Sequence, residues 1–364
     1  MSVGLRKRLT QKQGTKETSM SIEKRICFVI PYFGTLPNYF PVFLKSCEIN
    51  VNYDWLLLTD DHTHFNYPEN VKACYMTFDQ LKRRIEQLFS FPISLATPKK
   101  LCDFKPAYGY IFENELKSYP YWGNCDIDLV LGDLDRFLDM QKLQEYQKHF
   151  YLGHMTVYEN SPEIRELFMK GNPKKENNDM KFGFQDVFGC ERNMSFDEWS
   201  NVVETINEIA EKENICINPD FPMLDIRPWR SKFNSTVFDP HTHSWINSTK
   251  DNNIVVWERG RLYAYSKETN GKLRKKEILY AHFQKRKMHT KNIDLDADTF
   301  LFYPNVIESC KEISDKTIKH KMKLASLRSL LHIDERSKQK EELSFLWKHR
   351  FNKYIKNKII TSSK

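Results

Sequence analysis

RICFVI, at Arg25–Ile30, is a short, continuous apolar run closed by Pro31, the pattern of a strand buried on both faces. Its neighbours extend that reading. Asn38 is placed to cap a helix whose inward residues, Phe40, Phe43, Leu44 and Cys47, recur at helical spacing. Asp54–Thr59 (DWLLLT) is a second buried strand, ending in Asp60 and Asp61, and Val71–Met76 is a third. Thr77-Phe78-Asp79-Gln80 has the capping-box pattern ahead of an amphipathic helix through Leu88. A further helix is predicted from Lys105 to Tyr119, then a strand over Trp122–Leu131. This alternation predicts an α/β fold: a mostly parallel sheet flanked by helices, with right-handed crossovers.

Beyond Asp135 the pattern is helical to His149, with a strand near Tyr151–Tyr158. Ser161-Pro162-Glu163 opens another helix with cap, first-turn proline and first-turn acid in order, and Ser195–Glu211 reads as a helix. From Ile254 the style becomes antiparallel: IVVWE and LYAYS flank Arg259-Gly260, and Asn270-Gly271 marks a further hairpin before Ile278–Phe283. The resulting division is a disordered basic leader over 1–21, an α/β domain over 22–290, and a basic helical extension over 291–364.

A hydrophobic share of 40% supports a packed core and argues against disorder of the whole chain. No apolar run approaches the roughly 18 residues of a membrane-spanning helix. The cysteines form no C-x-x-C pair and sit mostly in apolar runs, which suits free thiols in a reducing compartment, the cytoplasm. The net charge of +8 is concentrated at Lys272–Lys276, Lys285–Lys287 and Lys316–Lys364, a bias compatible with nucleic acid, an anionic membrane surface or phosphate-bearing small molecules. Little aromatic interleaving in the basic tail disfavours nucleic acid. Among Leu324, Leu327, Leu330, Leu331 and Trp347, those basic residues suit peripheral contact with an anionic inner leaflet; a helical cap with a solvated face is the alternative.

The chemistry-bearing feature is Asp126-Ile127-Asp128 in WGNCDIDLVLG. On a strand, residues two apart share a face, so the two carboxylates project together as a half-site for a hard divalent cation. Taken alone, the pattern equally fits two solvated acids at a strand end. Asp133-Leu134-Asp135 repeats it, but a helix N-cap explains Asp135 as well. No G-x-G-x-x-G and no G-x-x-x-x-G-K-[ST] occurs, which weakens dinucleotide oxidoreductase and P-loop readings.

LCDFKPAYGYIFENELKSYPYWGNCDIDLVLG resembles the layout of glycosyltransferases of the GT-A (Rossmann-like) fold, and four segments resemble a bacterial family of glycosyltransferase-like proteins associated with capsule and O-antigen synthesis: ICFVIPYFGTLPNYFPVFLKSC, KLCDFKPAYGYIF with CDID, SFDEW, and LYAHFQKRKM. The resemblance runs over about residues 25 to 290; Trp122-Gly123 departs from the usual Gly-Gly pair. It implies that Asp126, Asp128 and His282 hold Mn²⁺ or Mg²⁺, with Lys285 and Arg286 on a leaving diphosphate. By itself His282 would be an ordinary core or surface histidine. The nucleotide-sugar set would include Pro31, Tyr32, Phe33, Gly34, Thr59, Asp60, Asp61, Asp103, Lys105 and Asp126; Thr59, Asp60 and Asp61 are also ordinary turn residues. The implied catalytic acids are Asp197, with Asp186 in reserve, and Glu198, which also fits a structural capping box begun by Ser195.

The function so implied is transfer of a hexose from a UDP-linked donor to a surface-polysaccharide or lipid-linked acceptor, in the cytoplasm or peripherally at the inner face of the membrane. A metal-dependent nucleotidyltransferase and a non-catalytic basic membrane-associated module are the alternatives.

Overall fold

The computed structural model describes residues 24–330 apart from 177–178, 220–221, 227–232, 240–243, 285–287, 291–292 and 304. The expected leader over 1–21, the tail beyond Leu330, and Lys285 and Arg286 lie outside the described residues.

The buried run at the start is the middle of a sheet. Strand β1 (Ile26–Pro31) has β2 (Tyr53–Thr59) and then β3 (Val71–Tyr75) on one side and β4 (Tyr121–Cys125) on the other, all parallel. Next, β5 (Leu129–Leu131) departs to a second sheet. The chain then returns through β6 (Lys148–His149) and β7 (Met155–Glu159), with β7 antiparallel to both β4 and β6. A separate ribbon of β8 (Lys174–Glu176) and β9 (Asp179–Lys181) follows, and β10 (Ile217–Asn218) ends the first sheet beside β6. The order is β10-β6-β7-β4-β1-β2-β3, so the sheet is mixed: parallel around β1, antiparallel across β7.

The second sheet takes the rest of the chain: β11 (Met223–Asp225), β12 (Phe233–Asp239), β13 (Ser244–Glu258), β14 (Arg261–Lys267), β15 (Leu273–Glu277), β16 (Tyr280–His282), β17 (Thr299–Tyr303) and β18 (Val306–Ser309). It runs β15-β14-β13-β12-β11-β16-β5, with β17 added to β13 and β18 to β17. The Arg259-Gly260 hairpin forms as the sequence predicts, both residues at positive φ (48° and 86°) as a tight two-residue turn requires. Residues 299–309, assigned from the sequence to the extension, supply two of these strands. Only from Asp315 is the extension helical, and that helix (Asp315–Leu330) buries Ile318, Met322 and Ala325 against Ile254, Val256 and Leu301.

The helix Phe40–Glu48 joins the two sheets. Its Phe40, Phe43, Leu44 and Cys47 pack with residues of the first sheet, while Val42 packs with residues of the second. Its cap position is Tyr39 rather than Asn38, whose amide instead donates to the Met288 carbonyl at 2.9 Å. The Thr77–Gln80 capping box forms as the sequence predicts. The helix predicted over 105–119 is broken into a 3₁₀ segment (Pro98–Ala107) and two short turns, Tyr108–Ile111 and Glu113–Leu116. Pro106 falls inside that 3₁₀ segment, where its missing N–H prevents an α-helical continuation from Pro98. All eight cysteines are free, and among the described residues no helix is long and apolar enough to cross a membrane.

One wholly buried lysine has no carboxylate within ion-pair reach among the described residues. Lys148 is fully buried, donating to the Phe150 carbonyl and, at 2.8 Å, to Asn207 Oδ1. Burial pushes its pKa down to about 7, only partly opposed by Glu211. Above that value the folded protein holds Lys148 neutral while the unfolded chain still binds the proton, so this residue makes stability rise with pH. Between pH 7 and 9 it should add about 2 kcal/mol. Urea unfolding of wild type and Lys148→Met across that window should show the increment in the wild type only; parallel profiles would refute it.

Candidate metal centre and cleft

The chain leaves the first sheet at Cys125 and joins the second at Leu129, so Asp126-Ile127-Asp128 is the turn between two strands rather than the middle of one. The predicted strand over Trp122–Leu131 is broken because β4 pairs with β1 and β7 while β5 pairs with β16. Ile127 turns into the core, 4% exposed, and the carboxylates flanking it face the same point. There β16 delivers His282: ligand atoms of Asp126, Asp128 and His282 all lie within 4.8 Å of one another. His282 Nε2 stands 3.4 Å from Asp128 Oδ1. With metal–ligand distances of about 2.1 Å, adjacent donors of an octahedral ion stand about 3 Å apart, so this trio suits one cation after small adjustment.

A cleft of about 740 Å³ opens beside the trio, at the carboxyl ends of β1 and β4. Pro31, Tyr32, Phe33, Tyr39, Pro98 and Tyr108 make its apolar walls, and Lys105, Asp126 and Asp128 supply charge at one end. Lys105 Nζ donates to Asp126 Oδ1 and to the Gly153 carbonyl, both at 2.7 Å, and stands 3.6 Å from Asp197 Oδ2. Burial works against its charge, but Asp126, Cys102 and Asp197 outweigh burial and hold the ammonium protonated.

On the other side of the trio lies a cluster the sequence reading did not anticipate. The His154 ring lies 3.8 Å from the His282 ring, centroid to centroid, with its Nε2 3.6 Å from Glu198 Oε1. Burial, helped by the charge on His282, depresses the His154 pKa to about 3, so it stays neutral. His282 behaves oppositely: burial disfavours its charge, but Asp128 and Asp225 overcome that and lift it to about 10. Gly153 makes this crowding possible. A Cβ there would stand 2.2 Å from Asp197 Oδ2 and 2.9 Å from Glu198 Cγ. The only local trace of the cluster in the sequence is Gly153-His154 at the head of β7.

Several expected site residues serve the scaffold. Asp103 is fully buried, pairing with Lys100 at 2.8 Å and accepting the N–H groups of Met194 (2.9 Å) and Phe196 (3.0 Å). Asp60 and Asp61 accept the N–H groups of Gly34 and Leu36, each at 2.7 Å, shaping the loop whose Phe33, Thr35 and Pro37 line the cleft. The hydroxyl of Thr59, fully buried, accepts from Asp61 N. Gly34, Thr59, Asp60, Asp61 and Asp103 do not line the cleft; Pro31, Tyr32, Phe33, Lys105 and Asp126 do. Asp186 caps its own helix through Gly183 N at 3.1 Å.

No helix starts at Ser195. That residue has φ of 56°, and the helix is Ile206–Lys212, with its capping box at Thr205 and Glu208. Glu198 is therefore released from the structural role its spacing suggests. It accepts from Gly153 N at 3.0 Å, with its side chain one-third (33%) exposed beside His154. Burial raises the pKa of both Asp197 and Glu198.

A family model described as a family of unknown function (DUF6625) matches residues 28–311. The chain belongs to that family. The shared region contains both sheets, but for the first two residues of β1, and every residue of the centre just described, from Lys105 to His282. No curated protein matches the chain.

Asp103→Ala tests the scaffold role. It would strand the buried Lys100 cation and two N–H groups, costing about 3–5 kcal/mol in denaturant unfolding. A loss below about 1 kcal/mol would contradict it.

Proposed function

We propose that the chain is a metal-dependent glycosyltransferase of GT-A type, moving a hexose from a UDP-linked donor to a surface-polysaccharide or lipid-linked acceptor. The observation that carries the reading is the convergence of Asp126, Asp128 and His282 at one end of a cleft bounded by the carboxyl ends of parallel strands. The order β3-β2-β1-β4 followed by antiparallel β7 supports it, with the D-x-D turn leaving β4. Two carboxylates and one imidazole are a donor set for Mn²⁺ or Mg²⁺. Held by these three residues, such a cation would supply charge neutralisation and Lewis acidity toward a departing diphosphate.

The chain's own groups have definable parts in this reading. Tyr32, Tyr39, Tyr108 and the prolines offer apolar walls to a nucleoside, and Lys105, beside Asp126, faces the diphosphate end. Lys285 and Arg286 follow His282 closely enough in sequence to join it. Glu198 is the better acceptor base. Its carboxylate reaches solvent, whereas Asp197 is 7% exposed and lies against Lys105. A carboxylate with raised pKa is also a stronger base. An acceptor in a capsule or O-antigen pathway would be met at the cytoplasmic face of the membrane, with the basic tail as the contact.

Asp126→Asn, Asp128→Asn and His282→Ala should each weaken Mn²⁺ binding at least about tenfold and abolish Mn²⁺-stimulated hydrolysis across a panel of nucleotide sugars. Unchanged metal affinity in all three would remove the proposal. For the tail, full-length protein should sediment with anionic vesicles at low salt and release at high salt, while a chain ending at Leu330, which keeps the packed helix, should not sediment. Equal behaviour of the two would exclude a membrane role for the tail.

A further inference from the structure

The metal trio leaves one carboxylate at the centre unaccounted for. Asp225 ends β11, which runs parallel to β16 with Asp225 directly beside His282. Its Oδ1 stands 3.1 Å from His282 Nδ1, an ion-pair contact off the line of a ring N–H, on the side of the ring away from Asp128, and its Oδ2 accepts from Gln284 Nε2 at 2.6 Å. The backbone locks the same pairing, because Ile226 N donates to the His282 carbonyl at 3.1 Å. Asp225 is 6% exposed, so this carboxylate is committed to the interior and not to solvent.

We infer that Asp225 is a positioning residue for the metal centre: it holds His282 by Nδ1 so that Nε2 faces the cation shared with Asp126 and Asp128. An imidazole can offer either nitrogen, and the one left free to bind is set by the partner of the other. A carboxylate behind a ligating histidine fixes the ring's orientation and tautomer and raises its basicity, and losing it costs about 10–100-fold in metal affinity. Gln284 restrains Asp225 in turn, so the carboxylate already stands beside His282 before any metal arrives, and a small turn of the ring brings its Nδ1–H into line. His154, lying across the face of the His282 ring, blocks its tilting. The inference rests on the metal reading above and says which part of the second sheet serves it.

The test is Mn²⁺ titration of full-length wild type and Asp225→Asn, followed by the electron paramagnetic resonance of free Mn²⁺, with thermal melting run on both. Asn keeps the size but presents an amide, and affinity should fall about 10–100-fold with little change in melting temperature. Equal affinity in the two proteins overturns the inference and leaves the metal reading standing. No Mn²⁺ uptake by the wild type overturns both. A second measurement needs no variant: nitrogen-15 resonances of labelled histidine in the wild type loaded with diamagnetic Cd²⁺. His282 should carry its proton on Nδ1 and the metal on Nε2; the reverse assignment overturns the inference even if Asp225→Asn fails to fold.

Discussion

Acidic side chains crowded at one end of the cleft are the constraint on which this molecule is organised. Asp126, Asp128, Asp197, Glu198 and Asp225 converge where β4 ends, with Lys105 and His282 as the cations among them. Two like charges about 4 Å apart at an effective dielectric near 20 repel by about 4 kcal/mol, so such a group holds only if cations and donors are supplied from several directions. The fold supplies them that way. Lys105 comes from the 3₁₀ segment before β4, His282 from β16, and the Gly153 N–H from the approach to β7. The helix Phe40–Glu48 packs its inner face against residues of both sheets and so ties them together.

The same constraint explains why the two sheets meet where they do. A continuous strand through 122–131 would have put both acids on one face of one sheet and left His282 in another layer. By stopping β4 at Cys125 and restarting as β5 against β16, the chain places the acids in the seam between the sheets. Ile127 anchors that seam in the core, so the turn is held by apolar burial and not by the charges it carries.

What the sequence made legible follows from how local each signal is. The buried run at Arg25–Ile30, the Thr77–Gln80 box and the Arg259-Gly260 hairpin are decided by neighbouring residues, and they form as read. The Ser195–Glu198 spacing is just as local but is overruled from a distance. Buried Asp103 claims the N–H groups on either side of Ser195 and holds that residue at positive φ, so the helix begins ten residues later at Thr205. His282 was reachable only through a resemblance, since nothing near it in sequence marks it as a partner of Asp126. Asp225 carried no local signal, and His154 only the glycine before it. Each acquires meaning from a strand pairing that composition and spacing do not encode.

Stability alone gives no reason for this arrangement. Removing charges from water costs several kcal/mol each, and a buried ion pair often does no better than well-packed apolar residues of the same volume. A chain that needed only a tight seam between two sheets would fill it as it fills the rest, with residues like Val130, Leu131 and Tyr280. Instead it places acids and imidazoles there, uses Gly153 so that two carboxylates can approach the backbone, and strains Ser195 to hold the segment bearing them. Buried acids, a required glycine and a strained serine meeting at the end of the cleft are what a chain accepts where a ligand must be held. The scaffold acids Asp60, Asp61 and Asp103 make the contrast within the same molecule. Each accepts at least one backbone N–H, while Asp126 and Asp128 turn oxygens toward a shared point at the cleft.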